Sequence, residues 1–208
     1  MNTTFYNTDS KEFWNSEYES RKTGWDLNSP NPVFKYLITD VTFIKPSKII
    51  ILGSGKGFDA VLAYEKGYDV TTVDFATNAN EYCKELSEKF NSKLSIIEKD
   101  FFELDSSIFN SFDIVYEYVT YCAISITRRN DFLRLAAKLL KPGGRFVTDL
   151  FPIDKREDGP PFSVDLSEFL IDAKKFFNLE YLNKNVPSVK PRRGKEILLV
   201  FRKPFNVE

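Results

Sequence analysis

The chain has 208 residues, 42% of them apolar, the size of one compact α/β domain able to bury roughly two-thirds to three-quarters of its unfolded surface. Its 29 basic and 30 acidic side chains nearly cancel, so no net field draws it to nucleic acid or an anionic membrane. There is no histidine, which excludes Ser-His-Asp and Cys-His hydrolysis, histidine-ligated metals and an imidazole base. Cys83 and Cys122 are too far apart in sequence for a zinc knuckle and too few for a disulfide framework. Residues 1–30 are polar and aromatic without a signal-peptide core, and no apolar run is long enough to span a membrane. A cytoplasmic protein is expected, without metal, membrane or nucleic-acid partner, and a monomer or weak dimer.

After the aromatic N-terminal segment, β-branched runs alternate with helical patterns. Ser47 to Leu52 is an apolar run too short for a helix and stopped by Gly53, the pattern of a strand buried on both faces. Phe58 to Lys66 reads as a helix closed by Gly67, and Asp69 to Asp74 as a second strand. Thr77 is expected to cap a helix running to about Asn91, followed by a third strand from Leu94 to Glu98. Phe112 to Glu117 is the fourth strand. Thr127 to Leu140 is an amphipathic helix, which Lys141-Pro142-Gly143-Gly144 breaks before the strand Arg145 to Leu150. Alternation of this kind predicts a doubly wound, mostly parallel sheet whose ligand lies beyond the carboxyl ends of the strands. Beyond it come a loop from Asp154 to Ser163, a helix from Asp165 to Phe176, and strands from Leu179 to Val186 and Glu196 to Lys203. The last two are joined by a basic loop carrying Lys190, Arg192, Arg193 and Lys195.

The chemistry should sit just after the strands. Leu52 leads into Gly53-Ser54-Gly55-Lys56-Gly57, which opens a helix and lets a ligand approach the backbone and the free N–H groups of the helix start. Glycine at 53, 55 and 57 departs from the dinucleotide fingerprint, which needs glycine where Phe58 stands, and Lys56 is not followed by the Ser or Thr of a phosphate-binding loop. The spacing is that of S-adenosylmethionine sites. Asp74, at the end of the second strand, is placed to accept ribose hydroxyls, with Phe75 beside the adenine. Asp100, Phe101 and Phe102, past the third strand, offer an acid and aromatic faces for the base. Glu117, Tyr118 and Tyr121 close the fourth strand and are the candidates facing the methionine end and the acceptor. Cys122, with no base or cation nearby in sequence, reads as a small buried apolar residue.

The glycine turn, Asp74, the acid after the fourth strand and Leu140-Lys141-Pro142-Gly143-Gly144 resemble the class I methyltransferases that use S-adenosylmethionine. Phe13 to Tyr18, Lys22 to Asp26, Pro30-Asn31-Pro32, Phe112 to Ile124, Phe151-Pro152-Ile153 and Gly159 to Phe162 are similar to the thiopurine methyltransferase superfamily, especially its halide and thiol methyltransferase branch. The resemblance implies a seven-stranded Rossmann-like sheet with a last antiparallel strand, in one domain with a cover over residues 1–40 and a catalytic sheet over residues 47–208. It implies that Trp14, Tyr18 and Trp25 close over the cofactor and that Arg192 to Glu196 lie near the acceptor. Leu52 stands where the family often has proline, and Glu117 where the plant-like branch has aspartate. The expected reaction is methyl transfer to a small soft nucleophile such as a thiol, hydrosulfide, halide or thiopurine-like compound, releasing S-adenosylhomocysteine. An O- or N-methyltransferase using Glu117 or Tyr118 as base, and a non-catalytic binding module, are the alternatives.

Overall fold

A computed structural model describes residues 7–156 and 158–205; the rest of the expected cover, residues 1–6, lies outside them. Seven strands form one sheet: β1 (Lys48–Leu52), β2 (Asp69–Asp74), β3 (Ser95–Glu98), β4 (Phe112–Tyr118), β5 (Leu140–Leu150), β6 (Asn178–Asn183) and β7 (Ile197–Arg202). Their order is β3-β2-β1-β4-β5-β7-β6, and β7 runs antiparallel between β5 and β6. The direction of winding reverses between β1 and β4, so the carboxyl ends of these two strands open the crevice where such folds bind ligands.

The β1 residues show why the sheet is buried on both sides. Ile50 and Leu52 pack with helix α5 (Arg129–Leu139) and helix α6 (Leu166–Ala173), while Ile49 and Ile51 face α2 (Pro32–Asp40) and α3 (Phe58–Glu65). The remaining helices are α1 (Lys11–Glu19) and α4 (Thr77–Lys89). No helix of the described residues is long and apolar enough to cross a membrane.

Several boundaries differ from the sequence expectation. The N-terminal segment contains two short helices. Ser10 caps α1 by accepting from Phe13 N–H, and Asn31 caps α2 by accepting from Val33 N–H, with Pro32 preset for the first turn. Thr77 does not cap α4: it is the first helical residue, and its hydroxyl donates to Glu98. Lys141-Pro142-Gly143-Gly144 does not separate helix from strand. α5 ends at Leu139 and β5 starts at Leu140, the glycines lying in an irregular stretch where the pairing with β4 jumps from Phe112–Leu140 to Ile114–Arg145. α5 starts two residues late because a 3-10 turn (Ile126–Arg128) precedes it, and β6 stops at Asn183, lengthening the basic loop to residues 184–196.

Candidate active site

Backbone strain and hydrogen bonding build the glycine turn after β1. Gly53, Gly55 and Gly57 all adopt positive φ (63°, 53° and 81°), a region closed to most side chains. At Gly57 a Cβ would also meet Cys83 Sγ at 2.5 Å. Gly53 and Ser54 donate to the Val73 carbonyl (2.8 and 3.2 Å), holding the turn against β2. Asp74, at the end of β2, then accepts from Gly55 N–H and Ala76 N–H, both at 2.9 Å. Burial raises its pKa.

A cavity of about 710 Å³ opens on these residues. It brings together Gly53, Gly55, Asp74, Phe75, Asp100, Phe101 and Phe102 from the sheet with Trp14, Tyr18 and Trp25 from the N-terminal segment. The three cover aromatics form one strip: Trp14 and Trp25 meet edge to face at 5.2 Å, and Tyr18 and Trp25 at 5.6 Å. Trp14 Nε1 donates to the Thr8 carbonyl at 2.8 Å. Asp100 caps the turn at Phe101 by accepting from Phe102 N–H at 2.9 Å, and Arg128 lies 3.7 Å over the Phe102 ring, 3.4 Å from Asp9 and 3.6 Å from Asp100.

Six residues expected at the site lie outside this cavity. The Leu52 side chain is fully buried in the core. Ser54 and Gly57 face a smaller cavity of about 80 Å³ on the far side of the glycine turn, shared with Asp26, Asn31, Asp59, Tyr116 and Tyr118. Glu117 is 1% exposed, and its carboxylate accepts from Thr120 N–H (3.2 Å), Tyr121 N–H (3.0 Å) and the Thr148 hydroxyl. It shapes the turn after β4 instead of facing an acceptor, and burial raises its pKa. Tyr121 is a core residue, packed edge to face on Phe132 and Phe169. Tyr118, placed in the acceptor pocket by the sequence reading, lines the smaller cavity and donates to Glu196 at 3.1 Å.

Other residues complete the walls. Thr120, Cys122, Ile124, Phe151, Pro160 and Arg192 line the large cavity. Cys122 is buried, and its thiol pKa is raised by that burial, as expected of a packing residue. Asp149, Asp59 and Asn31 form a buried polar group that the sequence analysis missed: Asn31 Nδ2 donates to Asp149 at 2.9 Å, and Asn31 N–H donates to Asp59 at 2.7 Å. Pro30-Asn31-Pro32 carried the cap signal, but nothing in the sequence tied it to Asp149 across the sheet.

With this geometry the kinship of the chain is clear. The profile of the thiopurine S-methyltransferase family matches residues 9–199. The chain is 33% identical over 190 residues to a protein of Arabidopsis thaliana named "Probable thiol methyltransferase 2", covering 89% of this chain and 82% of the relative. It is 27% identical over the same span to "Thiocyanate methyltransferase 1" of Brassica oleracea, with the same coverage. Among solved structures, it shares the fold of the 1,6-didemethyltoxoflavin-N1-methyltransferase of Burkholderia thailandensis, solved with S-adenosylhomocysteine bound, at a TM-score of 0.72 and 20% identity over 98% of this chain and 93% of that one. The chain belongs to the thiopurine S-methyltransferase family and is an S-adenosylmethionine-dependent class I methyltransferase.

Proposed function

We propose that the acceptor is a small soft nucleophile, a thiol or hydrosulfide first and a halide or thiopurine-like compound second, methylated by in-line displacement without an enzymic base. The observation that carries this reading is the engagement of Glu117. The acid that a base-catalysed O- or N-methyltransferase would use is buried and already accepts from three donors, and Tyr118 and Tyr121 are turned to Glu196 and the core.

The residues present fit the cofactor. Asp74 is a carboxylate at the cavity wall suited to vicinal hydroxyls, Phe75, Phe101 and Phe102 offer faces to a base, and the positive-φ glycines leave the turn bare for close approach. Trp14, Tyr18, Trp25 and Asp100 complete the set assigned to it. S-adenosylmethionine, when bound, supplies an activated methyl group on a sulfonium. The chain's part is to position and to dry the site: Trp25, Ile124, Phe151 and Pro160 present apolar surface that strips water from a soft anion, which gains nucleophilicity by desolvation. Ring faces also favour cationic sulfur.

The relatives' names support a sulfur acceptor, thiol in one case and thiocyanate in the other. The balanced charge and two buried free cysteines support a cytoplasmic enzyme without nucleic-acid partner, which we assign as one domain, monomeric or weakly dimeric. Release of S-adenosylhomocysteine on methanethiol, hydrosulfide, iodide and a thiopurine tests the reading. Turnover on the sulfur compounds is expected; turnover only on phenols or amines, with a pH dependence belonging to an enzyme group, would overturn it.

A further inference from the structure

Arg192 lies on the loop between β6 and β7 and is only 4% exposed, yet none of its nitrogens lies within ion-pairing distance of a carboxylate among the described residues. Glu196, four residues on, has its oxygens occupied by the hydroxyls of Tyr118 and Ser188. The Glu196 and Asp26 carboxylates act on it through space, but neither pairs with it directly, and burying a cation without a direct ion pair is costly. Its Nη2 donates to the Trp25 carbonyl at 2.7 Å and reaches the Gly24 carbonyl at 3.4 Å, fastening the cover. Its Nη1 has no partner among the described residues, although the side chain is part of the cavity wall.

The guanidinium is held in place. It lies 5.1 Å from the Tyr118 ring centroid and 5.3 Å from that of Phe151. Its own loop is anchored by Arg192 N–H donating to the Val189 carbonyl, by Ile153 N–H donating to the Lys195 carbonyl, and by the Lys195–Asp154 ion pair at 2.9 Å. The other cations on the wall are differently engaged: Arg156 pairs with Asp154, Arg128 with Asp9 and Asp100, and Lys22 is exposed.

We propose that Arg192 couples the two halves of the reaction: its free Nη1 takes an anionic acceptor while its Nη2 keeps hold of the cover, so that a small soft anion in the cavity tightens the grip on the cofactor. This rests on the methyltransferase reading above and adds to it an ordering device. An anion at Nη1 supplies the partner that this nitrogen lacks among the described residues and so strengthens the closed arrangement in which Nη2 binds the Trp25 carbonyl. By linkage the effect is reciprocal, each ligand favouring the other by the same factor.

S-adenosylhomocysteine carries no transferable methyl group, so the coupling can be measured without turnover. Calorimetric titration of the wild-type enzyme with it, in sodium iodide against sodium gluconate at equal ionic strength, should show about fivefold or more tightening in iodide, the lower range of ordinary couplings. Arg192→Met should abolish the iodide effect and Arg192→Lys should keep part of it. In the wild type alone, iodide should further slow tryptic cleavage after Arg21 and Lys22 in the presence of S-adenosylhomocysteine, a readout independent of any variant's folding. An unchanged affinity in iodide, or equal tightening in Arg192→Met, overturns the coupling. Methanethiol turnover in the same preparation separates the two ideas: turnover without an iodide effect rejects only the role of Arg192, whereas no turnover on any sulfur acceptor rejects the underlying function.

Discussion

The hydroxyl of Thr120 donates to the carbonyl of Leu52 at 2.9 Å, tying the turn after β4 to the last residue of β1. The same side chain occupies the space where a Cβ on Gly53 would go. Since Glu117 accepts from Thr120 N–H, a chain of contacts runs from the buried acid through Thr120 to the glycine turn.

Gly53→Ala should therefore destabilise the protein by about 1 to 3 kcal/mol, from positive-φ strain and the clash with Thr120. Thr120→Val, similar in shape, removes the hydroxyl's bond to the Leu52 carbonyl and should cost about 0.5 to 1.5 kcal/mol. Urea melts of both variants check this, and wild-type stability in Gly53→Ala would contradict the geometry.

Asp74→Ala should raise the dissociation constant for S-adenosylhomocysteine tenfold or more, on the order of 1.4 kcal/mol. The substitution removes the proposed ribose acceptor together with its bonds from Gly55 N–H in the glycine turn and from Ala76 N–H ahead of α4. Calorimetry decides it; an affinity within twofold of wild type would reject the assignment.

Glu117→Gln separates a structural acid from a catalytic one. The amide puts a donor where three donors already converge, so a stability loss of about 1.5 to 3 kcal/mol is expected. The pH profile of kcat for a thiol acceptor should stay unchanged in shape. Loss of an ionisation from that profile would restore Glu117 as a base.

How much of this was legible in the sequence depends on the range of the forces involved. The strands and the glycine turn were readable because β-branching, alternation and glycine spacing are local, and Asp74 follows from where β2 stops. The orientation of Glu117 was not, because strand position alone does not say whether a terminal carboxylate turns outward or is captured by the next two backbone amides. The Pro142-Gly143-Gly144 stretch has turn chemistry and forms an irregularity within β5: the β4 register skips from Leu140 to Arg145, and Gly143 and Gly144 exchange backbone hydrogen bonds with Lys203 just past β7. α1 and α2, nine residues each, carry cap signals at Ser10 and Asn31 that were overshadowed by the aromatic motif around them. Arg192 was noted as one of a basic cluster and, through the resemblance, as near the acceptor; its burial against the cover was not legible, because that contact is far apart in sequence.

Asp59 makes the stability pH-dependent. Burial pushes its pKa up to about 6, from an unfolded value near 4. Between these values the native state holds the proton more tightly, so the contribution of Asp59 is present below about pH 4 and is lost as pH rises through about 6. Asp59→Asn, whose Oδ1 can still accept from Asn31 N–H while its Nδ2 donates to the Tyr116 hydroxyl, should lack this decline; melting temperatures of both proteins from pH 4 to 7 should diverge in the variant's favour. Parallel curves would show that Asp59 is not the titrating group.

Limited trypsin digestion should cut after the exposed Arg21 and Lys22. S-adenosylhomocysteine should slow those cuts severalfold while leaving cleavage after the exposed Lys89 unaffected. An equal rate with and without ligand would mean that the N-terminal aromatics do not cover the cofactor.

The sequence has only two tryptophans, and both belong to the strip above the cavity. The intrinsic ultraviolet emission of this enzyme is thus a label already installed over its cavity, dominated by the indoles of Trp14 and Trp25. Ligand entry can be timed optically in the unmodified protein, and a change of emission wavelength on ligand addition reads the wetting of the site itself.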